Sequence, residues 1–222
     1  MRTLRPRRAG PVDARACAVT LQAASLLLSY PDEALLARIP LIRAAAEAVP
    51  PDAARPLRRL CDHLARTPLT RLQQDYVETF DLRRRCSPYL TYFSHGDTRK
   101  RGMALLRFSH AYRSAGADFA GDELPDHIAV VCEFAATTDL ELGLRLLAEN
   151  RAAVELLHRA LADVGSPYGA VLEAIRAVLP DPAPRDIAKA LELARTGPPE
   201  EEVGLEPFGP PELMGRQTGA RR

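Results

Sequence analysis

Two stretches of this chain gather residues whose types and spacing could do chemistry. The first runs from Asp75 to Gly102, DYVETFDLRRRCSPYLTYFSHGDTRKRG. It holds Tyr76, Phe80, Tyr89, Tyr92 and Phe93, in a sequence where aromatics make up 5% and Trp is absent. It also holds two basic triplets, Arg83 to Arg85 and Arg99 to Arg101. Gly96 and Asp97 read as a turn and an N-cap, which puts Arg99, Lys100 and Arg101 in a first helical turn. Cations there oppose the helix dipole, by a few tenths of a kcal/mol each. Three cations beside free backbone N–H groups make an anion site. The same three cations also fit an ion-pair network with Asp75, Glu78 and Asp81, the commoner arrangement. The second stretch is Asp122 to His127, DELPDH. Leu124 and Pro125 lead into a helix at Ile128, so Asp126 and His127 fall in its first turn. A carboxylate is favoured there by the dipole, and a neighbouring carboxylate holds His127 protonated near neutral pH. The bland reading is a capped helix start and nothing more.

Enzyme readings find little support. The chain has no GxSxG, P-loop, HExxH or GxGxxG motif. Cys86, His95 and His110 match no metal-ligand spacing, and a lone histidine such as His63 or His158 is more often surface or core than ligand. Cys17, Cys61, Cys86 and Cys132 form no CxxC pair. They read as buried reduced thiols rather than a zinc site or a disulfide framework.

The elements that must position these stretches are helices. The 222 residues are 46% hydrophobic, mostly Ala and Leu, which favours helix over strand. Stripes at helical spacing run through Ala16, Val19, Ala23, Leu26 and Tyr30; Leu57, Leu60, Cys61 and Leu64; Leu69, Leu72, Tyr76 and Phe80; and Ala104, Phe108, Ala111 and Ala115. Thr67 and Pro68 read as N-cap and first-turn proline, and Gly116 as a left-handed stop. Further on come Ile128, Val131, Cys132 and Ala135; a capping box from Thr138 to Glu141; Leu140 to Leu161; Tyr168 to Leu179; and Ile187, Leu191 and Ala194. No alternating strand pattern appears. The expectation is an all-α, single-domain bundle of about nine or ten helices.

Residues 14–196 make the helical domain. Residues 1–13, with Arg2, Arg5, Arg7 and Arg8, read as a flexible basic N-terminus, and 197–222 as a flexible Pro/Gly/Glu-rich tail. The apolar run from Ala16 to Leu28 is interrupted by Thr20 and Gln22 and is shorter than the roughly 20 residues a membrane span takes. It reads as a core helix rather than a signal peptide or an anchor. A net charge of +1 gives no general pull toward nucleic acid or anionic membrane.

The stretch YVETFDLRRRCSPYLTYFSHGDTRKRGMALL, followed by ELPDHIAVVCEFAA, resembles the delta-subunit, NarJ-type nitrate reductase chaperones. It is also similar to the wider group of chaperones that mature molybdoenzymes bearing twin-arginine leaders. The wider group's Glu-x-Pro-Asp-His loop is matched by Glu123, Pro125, Asp126 and His127, and the NarJ branch's arginine-rich aromatic segment from Tyr76 to Gly102. The resemblance covers about Leu26 to Ala194. It implies a cytoplasmic, all-helical chaperone without catalytic residues or a cofactor of its own. Its implied partner is the N-terminal segment of the apo catalytic subunit of respiratory nitrate reductase, held until the molybdenum cofactor is inserted, with neither nucleic acid nor stable membrane association. Capture of an amphipathic basic peptide suits the residues. Tyr76, Phe80, Pro88, Tyr89 and Tyr92 would give apolar contact. Glu123 and Asp126 would meet client cations, Pro125 would fix the loop, and His127 would add a pH-dependent contribution. A chaperone of another molybdoenzyme, or a nucleotide- or cofactor-binding helical protein using Arg99 to Arg101, remain as alternatives.

Overall fold

The computed structural model describes residues 13–119 and 123–199. The expectations for residues 1–12 and 200–222 lie outside them. Among the described residues the chain is all helical. Eleven α-helices follow one another: α1 (Ala14–Leu27), α2 (Glu33–Ala45), α3 (Pro51–Arg66), α4 (Leu69–Tyr76), α5 (Tyr92–His95), α6 (Arg99–Ser114), α7 (Ile128–Thr137), α8 (Leu140–Glu149), α9 (Arg151–Asp163), α10 (Gly169–Val178) and α11 (Pro184–Thr196). The helix count exceeds the expected nine or ten because α5 is a single four-residue turn that no sequence stripe marks.

The apolar stripes decide which helices become central. α1 packs against α7 and α10, α3 against α10 and α2, and α7 against α8. Leu21, Leu27, Leu57, Leu60, Ile128, Val131 and Ile175 are fully buried where these helices meet. Burying each such side chain contributes roughly 1.5–3 kcal/mol. α7 and α8 approach closely at Gly143, where a β-carbon would overlap Ala135. α11 lies outside this core against α9, with Ile187 and Leu191 exposed and none of its residues buried. All four cysteines are buried and free. No helix among the described residues is long and apolar enough to cross a membrane.

Four expected helix starts move by one or two residues, each for a visible reason. Thr67 ends α3, its hydroxyl donating to the His63 carbonyl, and Pro68 takes the N-cap of α4. Asp139 rather than Thr138 caps α8, accepting from the Leu142 N–H at 2.9 Å. Thr98 rather than Asp97 precedes α6. Asp126 and His127 stand before α7 rather than in its first turn, because the His127 ring itself is the cap. Gly116 stops the chain after α6 at φ 78°, as expected.

Candidate functional site

The two marked stretches meet. Residues 88–91 and 124–128 run antiparallel as a short non-helical clasp between α4 and α7. Tyr89 and His127 pair as an isolated bridge. Leu90 N–H donates to the Asp126 carbonyl at 3.0 Å, and Ile128 N–H to the Pro88 carbonyl at 2.9 Å. Pro88 and Pro125 lack N–H groups, so both serve the clasp as acceptors. The Pro125 carbonyl receives the Tyr112 hydroxyl at 2.6 Å.

Asp126 locks the clasp from within. It has no exposed surface. Its Oδ2 accepts from both the backbone N–H and the hydroxyl of Thr91, at 2.9 and 2.6 Å. Arg101 stands 4.0 Å away and donates to Thr91 Oγ1 at 3.3 Å and to Asp97 at 3.1 Å. Its guanidinium also lies 5.3 Å from the Tyr89 ring centre and 5.9 Å from that of Tyr92, within cation–π range. This corrects two expectations. Asp126 is a buried strut, not a surface carboxylate, because Thr91 offers two donors and Arg101 a nearby charge. The first turn of α6 does carry three cations, but Arg101 faces inward, leaving Arg99 and Lys100 on the exposed side. Arg101 pairs with Asp97 and Asp126 rather than with the carboxylates foreseen, and Asp75 pairs with Arg71 on its own helix.

His127 also differs from expectation. Its Nδ1 accepts from the Ala129 N–H at 3.2 Å, which requires that nitrogen to be unprotonated. Burial pushes its pKa down, while Glu123 and Asp126 push it up less strongly. The ring is therefore neutral near neutral pH, not held protonated.

On its outer side the clasp borders a groove of about 800 Å³. Tyr76, Phe80, Pro88, Tyr89, Glu123 and His127 line it. Tyr92, Pro125 and Asp126 do not, and stand behind it as supports. Local backbone explains the placement of the first pair. α4 continues as a π-turn, Val77–Asp81, closed by the Leu82 N–H donating to the Val77 carbonyl. The wider turn sets the Phe80 ring 4.8 Å from Tyr76, and both rings pack on Tyr168. π-turns recur at functional sites. The Tyr76 hydroxyl donates to the Leu28 carbonyl at 3.0 Å, tying this wall to the end of α1.

The sequence reading missed the opposite wall. Leu28 and Tyr30 close the groove beyond α1, with Tyr30 edge-on to Tyr76 at 5.4 Å. Val130, Glu133, Phe134 and Thr137 bring a second face of α7, and Tyr112 and Phe119 complete the apolar lining. The signal was present. Val130, Phe134 and Thr137 repeat at helical spacing in a phase different from Val131 and Ala135, so α7 has two faces to cover. Four carboxylates stand around the groove, Asp81, Asp118, Glu123 and Glu133, and no Lys or Arg is among its described lining. The Tyr89 hydroxyl donates to Glu123 at 2.9 Å. Burial, then this bond to a carboxylate, push the Tyr89 hydroxyl up to about 12. An aromatic floor with an acidic rim suits a segment that is apolar on one side and cationic on the other.

Comparison with known proteins places these residues in context. The family described as nitrate reductase delta subunit matches residues 46–173, which include both segments of the clasp. The chain is 41% identical over 158 residues to the nitrate reductase-like protein NarX of Mycobacterium tuberculosis, covering 71% of this chain and 24% of that protein. The chain thus spans about a quarter of that relative's length. It is 32% identical over 165 residues to the Bacillus subtilis protein described as a nitrate reductase molybdenum cofactor assembly chaperone, NarJ, covering 72% of this chain and 88% of that one. Among solved structures, one described as a candidate redox enzyme maturation protein from Archaeoglobus fulgidus aligns with a TM-score of 0.56 and 26% identity, over 78% of this chain and 98% of that chain.

Proposed function

This chain belongs to the nitrate reductase delta subunit family, and on that footing we propose that it is an assembly chaperone for a molybdenum-containing nitrate reductase. It works in the cytoplasm, on the catalytic subunit before its cofactor is in place. The observation that carries the reading is the groove beside the clasp, aromatic within and acidic at the rim. Its client is the N-terminal segment of the apo catalytic subunit, bound as an amphipathic basic peptide. Tyr30, Tyr76, Phe80 and Tyr89 take the apolar side, and Glu123 and Glu133 take the cations. Tyr92, Asp126 and Arg101 hold Tyr89 in place and need not touch the client.

The task asks for binding rather than reaction. A bundle with preformed walls loses little entropy when it closes on a peptide. Occupying the segment keeps it from other surfaces while the rest of the subunit remains open to its cofactor.

The test is made in cells. Deleting this chain should leave the nitrate reductase catalytic subunit present but low in molybdenum and in activity. The wild-type chain should restore both, and a chain with Tyr30→Ala, Glu123→Gln and Glu133→Gln should not. Full molybdenum loading in the deletion strain would overturn the proposal. Loss of loading in a different molybdoenzyme would point to another client.

A further inference from the structure

α6 turns an apolar pair away from the core. Arg99, Met103, Leu106 and His110 recur at helical spacing on one exposed side, with Met103 69% and Leu106 55% exposed. Two cations, Arg99 and Lys100, begin that side in a turn where the helix dipole disfavours them. A sequence shaped for this helix alone would put carboxylates there.

The last described residues indicate what covers it. Gly96 lies three residues before α6 at φ 56°, and the Pro199 carbonyl occupies the place a β-carbon on Gly96 would take. The chain therefore leaves α11 and arrives beside the start of α6. The residues that follow Pro199 are Glu200, Glu201 and Glu202, then Val203, Leu205 and Phe208.

We propose that the segment from Glu200 to Leu205 docks along the exposed side of α6. The three glutamates meet Arg99, Lys100 and the positive end of the helix, and Val203 and Leu205 cover Met103 and Leu106. The order of charge and apolar residues is the same on both partners. The lengths also agree. Extended chain from Glu201 to Leu205 spans about 13 Å at roughly 3.3 Å per residue. Arg99 to Leu106 rises about 10 Å at 1.5 Å per residue. Added acid at this helix start offsets the unfavourable placement of the cations. The docked segment also braces the turn that carries Arg101, and so the clasp behind the groove.

The sequence gives a clean probe, since Lys100 and Lys189 are its only lysines. The full chain is treated with a water-soluble carbodiimide, which joins an amine to a touching carboxylate as an amide, and the products are mapped by mass spectrometry. The expected product links Lys100 to one of Glu200, Glu201 or Glu202 within one molecule. A Met103→Gln, Leu106→Gln variant keeps the tether and the charges but should reduce that product at least fivefold. Unchanged yield in the variant would mean mere proximity and would overturn docking, as would absence of the product from the wild type. Mixing 14N- and 15N-labelled protein identifies a second copy, because links that carry both labels would assign the face to another molecule and contradict the proposal.

Discussion

At the residue scale, Asp126 separates two kinds of importance. A carboxylate that reaches a client would cost little stability when changed. A buried one that satisfies two donors of Thr91 beside Arg101 would cost much. Asp126→Ala should therefore lower unfolding free energy by about 2–4 kcal/mol, since it strands buried donors and a partly buried cation. Urea denaturation measures this. A loss under about 0.5 kcal/mol would show that the clasp does not depend on it. His127 yields a pH prediction of definite sign. Its folded pKa lies below its ordinary value of 6.5, so the unfolded chain binds the proton more readily. The stability it contributes is present above pH 6.5 and is lost as pH falls below it. His95 and His158, also lowered by burial, act in the same direction. Melting temperature should fall between pH 6.5 and 5. His127→Asn, which keeps a cap acceptor, should remove His127's share of that fall. An unchanged pH slope in the variant would contradict this account of the ring.

At the element scale, the helices were legible in the sequence and their ends less so. Stripes such as Leu57, Leu60, Cys61 and Leu64 fix which face is buried, because burial energy accumulates along the whole helix. A cap is decided by one side chain's reach, and neighbours such as Thr138 and Asp139 both offer an acceptor. Only the folded backbone selects Asp139. The π-turn after Tyr76 was illegible for a related reason. Its widened turn depends on the packing of Tyr76 and Phe80 against Tyr168, nearly ninety residues away. The α7–α8 crossing gives a prediction at this scale. Gly143→Ala places a methyl group into Ala135, and should cost about 1–3 kcal/mol by overpacking, despite alanine's better helix propensity. Calorimetric melting measures it, and equal or greater stability would mean that the two helices part without penalty.

At the scale of the whole molecule, the aromatic segment and the Pro-Asp-His loop were both legible, and so was their joint relevance. What each residue does there was not. Nothing in the linear sequence says that Tyr92, Pro125 and Asp126 stand behind the groove, or that Leu28, Tyr30 and Phe134 complete it from parts of the chain far away in sequence. Those facts follow from how α1 and α7 pack against each other and how α4 continues into its wider turn. On the proposed function, the clasp holds shape and the groove holds the client.

Isothermal calorimetry with a peptide copying the N-terminus of the nitrate reductase catalytic subunit tests that division most directly. The wild-type chain should bind it one to one, more weakly as salt rises. Tyr30→Ala removes an exposed groove aromatic and should weaken binding about tenfold or more. Adding Glu123→Gln and Glu133→Gln should weaken it further at low salt, by roughly 0–1 kcal/mol for each rim charge, and flatten the salt dependence. The melting temperature of the triple variant should stay close to that of the wild type, since Tyr30 is half exposed and the carboxylates are at the rim. Wild-type affinity in a folded triple variant would contradict the account and place the client elsewhere on the bundle.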